Sequence, residues 1–175
     1  LSLSQGKEMI KLCKKNNIVL SVVKQNRFNL PIIFSKKIID EGKIGNIFLG
    51  SIRVRWTRTQ EYYDSADWRG TWKNDGGVIS NQAIHHIDML QWLMGEVKSV
   101  NSACINALID IEAEDTSVSI LKFKNGGLGI IEATNATRPK DLEGSISILG
   151  TKGSIEVGGF SMDKMINVQS EDLNA

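Results

Sequence analysis

One segment, DGGVISNQAIHHIDMLQWLMG at residues 75–95, divides this chain of 175 residues into two parts with different hydrophobic patterns. Apolar residues recur along it at helical spacing, which predicts a helix from about Ile79 to Met94 that ends at Gly95. Beyond Gly95 the chain changes to short runs with the two-residue period of strands, separated by glycine turns. Helices followed by a series of strands predict an α+β domain.

The predicted helix carries the only two histidines of the sequence, His85 and His86. Asn81, His85 and Asp88 are spaced so that a helix would place their side chains on one side. A neutral imidazole can accept a proton from a hydroxyl near neutral pH, and Asn81 can orient that ring or hold a substrate hydroxyl. A structural histidine satisfied by hydrogen bonds is the competing interpretation. His86 points to the side of Gln82 and is interpreted as polar lining of the same pocket.

The strand-like runs predict a large, mostly antiparallel open sheet with helices on one face. Between Ile47 and Trp56, apolar residues alternate with Arg53 and Arg55, so one face of this strand is apolar and the other is cationic. Further strands are predicted at Val97–Ile105, Thr116–Phe123, Leu128–Thr134, Ser145–Leu149 and Ser154–Val157, with glycine hairpin turns at 125–127 and 150–153. The open face of such a sheet needs a cover, and a second subunit is the usual one. The polar last dozen residues predict a frayed end.

The first 26 residues have a different character. A helix is predicted over Gln5–Lys15, and the apolar run at 18–23 is typical of a strand buried on both faces of a parallel sheet. One strand cannot form such a sheet alone. Residues 1–26 are therefore interpreted as the last helix and strand of an α/β domain, loosely ordered or packed in a non-native way, and residues 27–175 as a separate α+β domain.

Composition argues against several classes of protein. The net charge is +1, which argues against nucleic acid or an anionic membrane as a partner. The apolar runs are too short for a membrane-spanning helix, and the first residues do not have the pattern of a secretory signal. Cys13 and Cys104 fit neither a disulfide framework nor a zinc motif, so a reducing cytoplasm is the expected location. His85 and Asp88 could share an ion, but a third ligand is not evident, and no metal site is predicted.

Two further segments contain candidate ligand-binding side chains. Residues 57–75 form a long loop rich in arginine and aromatic residues, and arginine forks suit carboxylates and phosphates. Solvated surface charges and core packing are the alternatives for this loop. Residues 24–28 follow the predicted buried strand directly, and ligands of open α/β sheets lie beyond the carboxyl ends of strands. A simple interdomain linker is the alternative there.

Five motifs follow one another along the chain: Gln25-Asn26-Arg27-Phe28, Trp68-Arg69-Gly70-Thr71-Trp72, Gly76-Gly77-x3-Asn81-Gln82-x2-His85-His86-x-Asp88, Glu114-Asp115-Thr116 and the run from Thr137 to Gly144. This ordered set resembles the Gfo/Idh/MocA family of nicotinamide-dependent oxidoreductases. The resemblance covers nearly the whole chain but only the C-terminal half to two-thirds of a family member. Within the family, the chain is most similar to the UDP-N-acetylglucosaminuronate 3-dehydrogenases.

The resemblance implies a dihydrodipicolinate-reductase-like sheet that forms homodimers or homotetramers, preceded by a Rossmann domain that binds most of the NAD. It implies hydride transfer from C3 of a nucleotide sugar, with His85 as the catalytic base. It places seven residues at the substrate (Asn26, Arg27, Arg69, Trp72, Asn81, Gln82 and His86) and two at the cofactor (Gln25 and Trp68). The family commonly has Asp where this chain has Asn81, and neither the glycine fingerprint nor the Glu-Lys-Pro lysine occurs in this sequence.

These implications predict that the chain alone is inactive. The alternatives are an enzyme of the same family that acts on another sugar or an inositol, and a non-catalytic oligomerisation module.

Overall fold

A single mixed sheet forms the body of the computed structural model, which describes residues 2–173. Its strands lie in the order β2-β3-β4-β1-β5-β6-β7, and every described neighbouring pair is antiparallel except β1 with β4. The predicted α+β class and mostly antiparallel sheet are thereby confirmed. The elements are α1 (Leu3–Lys15), a 3₁₀ turn (Gln25–Phe28), α2 (Leu30–Asp40), β1 (Ile47–Arg55), α3 (Gln60–Asp64), α4 (Ile84–Met94), β2 (Val97–Ile105), β3 (Thr116–Phe123), β4 (Leu128–Thr134), β5 (Glu143–Gly150), β6 (Gly153–Gly158) and β7 (Lys164–Ser170).

Strand β1 lies at the centre of the sheet, and its two faces differ as predicted. Ile52 and Val54 are fully buried on the inner face, whereas Arg53 and Arg55 lie on the outer face. The outer charge is neutralised locally, because Arg55 donates to Glu132 at 2.6 and 2.9 Å and to Glu143 at 3.0 Å. This strand can therefore carry arginines in the middle of a sheet.

Helix α4 covers the inner face of the sheet. Met89, Leu90, Leu93 and Met94 are buried there. Gly50 of β1 makes the close approach possible, since a Cβ at that position would lie 2.1 Å from the sulfur of Met94. Helix α4 is thus held rigidly against β1, and the residues at its first turn are held with it.

Helix α4 begins at Ile84, so the predicted start at Ile79 is wrong. The backbone N–H groups of residues 78 and 79 donate to the main-chain carbonyl and the carboxylate of Glu114, at 2.9 and 3.2 Å. Gly77 permits this contact, because a Cβ there would lie 2.1 Å from the Glu114 carboxyl group. The N–H of Ala83 then donates five residues back, to the carbonyl of Val78 at 2.8 Å, which departs from the i→i−4 pattern of an α-helix. Residues 79–83 consequently form turns, and Asn81 does not share a helical face with His85.

Two segments differ from their predicted secondary structure, one near the beginning of the described chain and one near its end. The predicted strand at 18–23 does not form, and Val19, Val22 and Val23 are 88%, 77% and 71% exposed. Within residues 2–173 no strand pairs with this segment, so its backbone has no ladder to join. At the other end, the polar residues of β7 do not fray but pair with β6. An edge strand needs only backbone pairing and can keep its polar side chains in water.

No helix in the described part of the chain is both long and apolar enough to cross a membrane.

Candidate active site

The two histidines at the start of α4 occupy different environments. His85 is partly exposed, and its Nδ1 is buried without a hydrogen-bond partner among residues 2–173. Burial, followed by the nearby positive charge of Lys24, lowers the pKa of His85 against the opposing effect of Asp88. The ring is therefore neutral near neutral pH, which is the form that can accept a proton.

His86, in contrast, lies in the core. Its side chain is 0% exposed, and its ring meets that of Trp56 edge-on with centroids 5.3 Å apart. Neither ring nitrogen has a hydrogen-bond partner within the described residues. Burial, with a smaller effect of His85, lowers the pKa of His86 to about 4. The structure thus does not bring His86 to the surface where His85 lies, although the resemblance places both at the substrate.

Asn81 and Gln82 lie one turn before His85 and are hydrogen-bonded to each other. The Gln82 Nε2 donates to Asn81 Oδ1 at 2.8 Å. Asn81 Nδ2 in turn donates to the carboxylate of Asp75, and Arg58 Nη2 donates to Gln82 Oε1 at 2.7 Å. Both amide side chains are half-buried. The structure therefore brings together two predicted site residues with two that sequence reasoning had not selected, Asp75 and Arg58.

The 57–75 loop presents a stacked arginine. The Arg69 guanidinium lies 4.2 Å from the ring centroid of Tyr62 and 4.7 Å from that of Trp68. No acidic side chain within residues 2–173 forms a salt bridge with Arg69, and Trp68 and Trp72 are both exposed. Stacking holds the guanidinium plane and leaves its N–H groups for other partners, an arrangement that suits a carboxylate or a phosphate.

Arg27 is held by a carboxylate of α4. Its Nε and Nη2 donate to the two oxygens of Asp88, both at 2.7 Å, and its guanidinium lies 5.1 Å from the ring centroid of Trp92. This bidentate pair ties the 3₁₀ turn, with Gln25 exposed and Asn26 half-buried, to the helix one turn beyond His85. The structure thus shows Arg27 positioning the turn, whereas the resemblance places it at the substrate.

We expect Asp88→Asn to lower the free energy of unfolding by about 1 kcal/mol, because it removes a charge-assisted bidentate pair that is partly shielded from water. Urea denaturation measures this change. The matched control is Asp40→Asn, which removes an exposed pair with Lys36 within α2 and should change stability by less than about 0.5 kcal/mol. Equal effects of the two substitutions would show that the Arg27–Asp88 pair does not tie the two elements together.

A cavity of about 410 Å³ lies elsewhere, beside Trp56 and Phe160, whose rings stack with centroids 4.4 Å apart. None of the predicted site residues lines it. Within residues 2–173, no three His, Cys, Asp or Glu side chains are arranged to hold a metal ion. A second cavity, of about 350 Å³, is lined by the predicted site residue Arg69 together with the acidic residues Asp64, Asp67, Asp110 and Glu112.

Comparison with known proteins identifies the fold of this chain. Two crystal structures of WlbA dehydrogenases, both in complex with NADH and UDP-GlcNAcA, superimpose on the chain. The Bordetella pertussis enzyme is 45% identical with a TM-score of 0.91, covering 95% of this chain and 51% of its own. The Chromobacterium violaceum enzyme is 44% identical with a TM-score of 0.93, covering 97% of this chain and 49% of its own.

A curated relative, the myo-inositol 2-dehydrogenase of Thermotoga maritima, is 29% identical over 161 residues, which span 89% of this chain and 46% of that protein. The chain thus spans about half the length of the proteins it matches. Residues 34–156 match the GFO/IDH/MocA C-terminal domain, which includes β1, α4 and the His85 site. The chain belongs to the Gfo/Idh/MocA family of oxidoreductases, and its sheet is the C-terminal domain of that family.

Proposed function

We propose that this chain is the C-terminal, substrate-binding portion of an NAD-dependent dehydrogenase that oxidises C3 of a UDP-N-acetyl-hexosaminuronate. The observation that carries the proposal is a neutral, partly exposed His85 on a rigid helix, preceded by two hydrogen-bonding amides. The WlbA enzymes support the choice of substrate, since both are 44–45% identical and were crystallised with NADH and UDP-GlcNAcA.

Each side chain has a role set by its chemistry. His85 takes the proton of the reacting hydroxyl on a ring nitrogen, because its lowered pKa keeps that nitrogen unprotonated. Asn81 and Gln82 offer both donors and acceptors, as sugar hydroxyls require. Arg69 meets an anion of the substrate, either the diphosphate or the sugar carboxylate. Asn26 and Trp72 complete the predicted surroundings of the sugar nucleotide.

The nicotinamide cofactor supplies the hydride acceptor when it is bound. Few residues of this chain are placed to contact the cofactor, and they are polar. The Nδ1 of His85 lacks a hydrogen-bond partner within the described residues. Gln25 is exposed and follows Lys24, whose positive charge lowers the pKa of His85. Trp68 offers an exposed ring for stacking. Since the sequence has no glycine fingerprint, we assign most of the cofactor contacts to a domain outside this chain, and the chain alone should not turn over.

The outer face of the sheet supports self-association. Val118, Ile120, Leu128 and Ile130 are 40–55% exposed on the adjacent strands β3 and β4. Apolar residues grouped in this way mark interaction surfaces, and a second copy of this sheet would cover them in a homodimer or homotetramer. This face also favours the second candidate function, a non-catalytic oligomerisation module. The cytoplasmic location stays a prediction.

Turnover measurements test the proposal. With the cofactor domain in place and NAD saturating, we expect kcat/KM for UDP-GlcNAcA to exceed that for myo-inositol by at least about a hundredfold. The reason is that the uronate and diphosphate give Arg69 anionic partners that an inositol lacks. NADH formation is the measurement. Higher efficiency with myo-inositol would assign the site to another substrate, and NAD reduction by the 175-residue chain alone would refute the division of labour between domains.

A further inference from the structure

Four side chains near His85 form one hydrogen-bonded chain with a fixed direction. Asp75 Oδ2 accepts from the backbone N–H of Gly70 at 2.7 Å, and its other oxygen accepts from Asn81 Nδ2. Asn81 Oδ1 accepts from Gln82 Nε2 at 2.8 Å, and Gln82 Oε1 accepts from Arg58 Nη2 at 2.7 Å. At each step the donor lies on the side of Arg58 and the acceptor on the side of Asp75.

The two charged ends determine this direction. An ionised carboxylate can only accept hydrogen bonds and a guanidinium can only donate them, whereas an amide side chain can turn either end towards a neighbour. Flipping Gln82 would place its NH₂ group against Arg58, donor against donor. Flipping Asn81 would place its oxygen against the Asp75 carboxylate, acceptor against acceptor. Each amide therefore has one satisfied orientation.

We infer that Asp75 and Arg58 are positioning residues that set which atoms of Asn81 and Gln82 face the substrate. Arg58 is itself held by stacking, with its guanidinium 5.7 Å from the ring centroid of Trp56 and 5.4 Å from that of Tyr62. Its Nη1 donates to the carbonyl of Thr57 at 2.7 Å. Asp75 is held by the loop backbone at Gly70. Neither Arg58 nor Asp75 can therefore move to accommodate a flipped amide.

The consequence for recognition rests on the proposed function. Once the amides are oriented, the second N–H of Gln82 faces the hydroxyl of Tyr62 at 3.4 Å, whereas Asn81 has one remaining N–H. Each of the two amide oxygens has one remaining lone-pair direction for a ligand. Sugar hydroxyls at matching positions are recognised, and an epimer with a displaced hydroxyl leaves one of these groups unpaired. Asp75 and Arg58 would thus determine stereochemical specificity through the amides between them.

Exchanging the carboxylate and the amide gives the sharpest test. In Asp75→Asn, the oxygen of the new amide keeps the hydrogen bond from the Gly70 N–H, so the NH₂ group of that amide faces Asn81. Asn81 and Gln82 must then flip, and a donor–donor contact appears at Arg58. In Asn81→Asp, two carboxylates face each other. In the double exchange, the new amide at position 75 donates to the new carboxylate at position 81, which still accepts from Gln82. Gln82 and Arg58 therefore keep their orientation, and only the bond between positions 75 and 81 reverses its direction.

The free energy of unfolding of the 175-residue chain and the side-chain NH₂ resonances of Gln82 are the first readouts. We expect each single substitution to raise the unfolding equilibrium constant about tenfold and to shift the Gln82 resonances, and the double exchange to return both towards the unsubstituted values. Additive losses in the double variant would overturn the inference. The matched control is Asp67→Asn, which removes an exposed carboxylate from the same loop and should change neither readout.

Kinetics of the protein with its cofactor domain is the second readout. Asp75→Asn should raise KM for the sugar substrate about tenfold and change kcat less than about threefold, because His85 is untouched. The double exchange is not used for this readout, because a carboxylate at position 81 lacks the N–H that Asn81 offers to a sugar hydroxyl. An unchanged KM would overturn the positioning role. If no sugar nucleotide is turned over by the unsubstituted protein, the proposed function fails, yet the unfolding and resonance measurements still decide whether the directed chain exists.

Discussion

Replacing His85 by glutamine is expected to lower kcat about a thousandfold in the protein with its cofactor domain in place. Removal of a positioned general base typically costs between about a hundredfold and ten-thousandfold, and glutamine can still hydrogen-bond to the substrate but cannot take its proton. KM should therefore change less than about threefold. NADH formation under saturating NAD measures both constants, and Gln91→Ala, an exposed position on the same helix, is the control.

The pH dependence gives a second signature of the same group. The base works in its unprotonated form, and burial with the charge of Lys24 lowers the pKa of His85 below its ordinary value of 6.5. The rate for the unsubstituted protein should therefore rise with pH, and the midpoint of the rise should lie below the ordinary histidine value of 6.5. Glutamine at position 85 should remove that limb of the profile. If His85→Gln left both the turnover and the pH profile unchanged, the result would favour a non-catalytic oligomerisation role for this chain over a catalytic one.

The second large effect concerns His86 and the stability of the fold in acid. Burial lowers the pKa of His86 to about 4, whereas its ordinary value is 6.5. Between those values the unfolded chain binds the proton and the folded chain does not, so stability is fully present above pH 6.5 and is lost as pH falls towards 4. We expect this single group to remove about 2 kcal/mol of unfolding free energy between about pH 7.5 and pH 5.

The variant His86→Met tests this expectation, since methionine is close in size and adapts to the space beside Trp56. At neutral pH its stability should lie within about 1 kcal/mol of the original, because both ring nitrogens lack partners in the described residues and an apolar group loses no hydrogen bond there. Below pH 6.5 its stability should fall less steeply. Urea titrations at several pH values measure the free energy of unfolding, with His85→Gln as the comparison. The expectation is contradicted if this free energy falls with pH as steeply in His86→Met as in the unsubstituted protein.

How far the sequence predicts this protein depends on the range of the interactions involved. The alternation along β1 and the glycine hairpins between strands are local patterns, and the structure has strands at all of those places. The start of α4 was misplaced because residues 78 and 79 dock on Glu114, about thirty-five residues away, and the chain between them and Ile84 forms turns instead of a helix. The isolated strand at 18–23 failed for a related reason, since a strand needs a partner that the described residues do not supply.

The candidate site likewise contains residues that local patterns indicated and residues that only contacts between distant segments revealed. Residue type and position on a predicted helix singled out His85, with a structural histidine as the alternative. The family resemblance then assigned the roles of His85 and Arg69, which stay predictions. Asp75 and Arg58 were missed because their roles come from contacts across separate elements. The only hints were that Asp75 precedes the glycine pair and that Arg58 belongs to a cationic loop. The two adjacent histidines occupy different environments, His85 partly exposed and His86 in the core, and their spacing in the sequence could not distinguish them.

The sequence by itself determined the α+β class, most strands and the imidazole on which the proposed chemistry depends, because side-chain periodicity and turn residues act over a few positions. Only the tertiary structure decided the order of the strands, the parallel pairing of β1 with β4, the burial of His86 and the hydrogen-bonded chain from Asp75 to Arg58. These features arise from contacts between residues far apart in the chain, and local patterns do not encode which distant groups will meet.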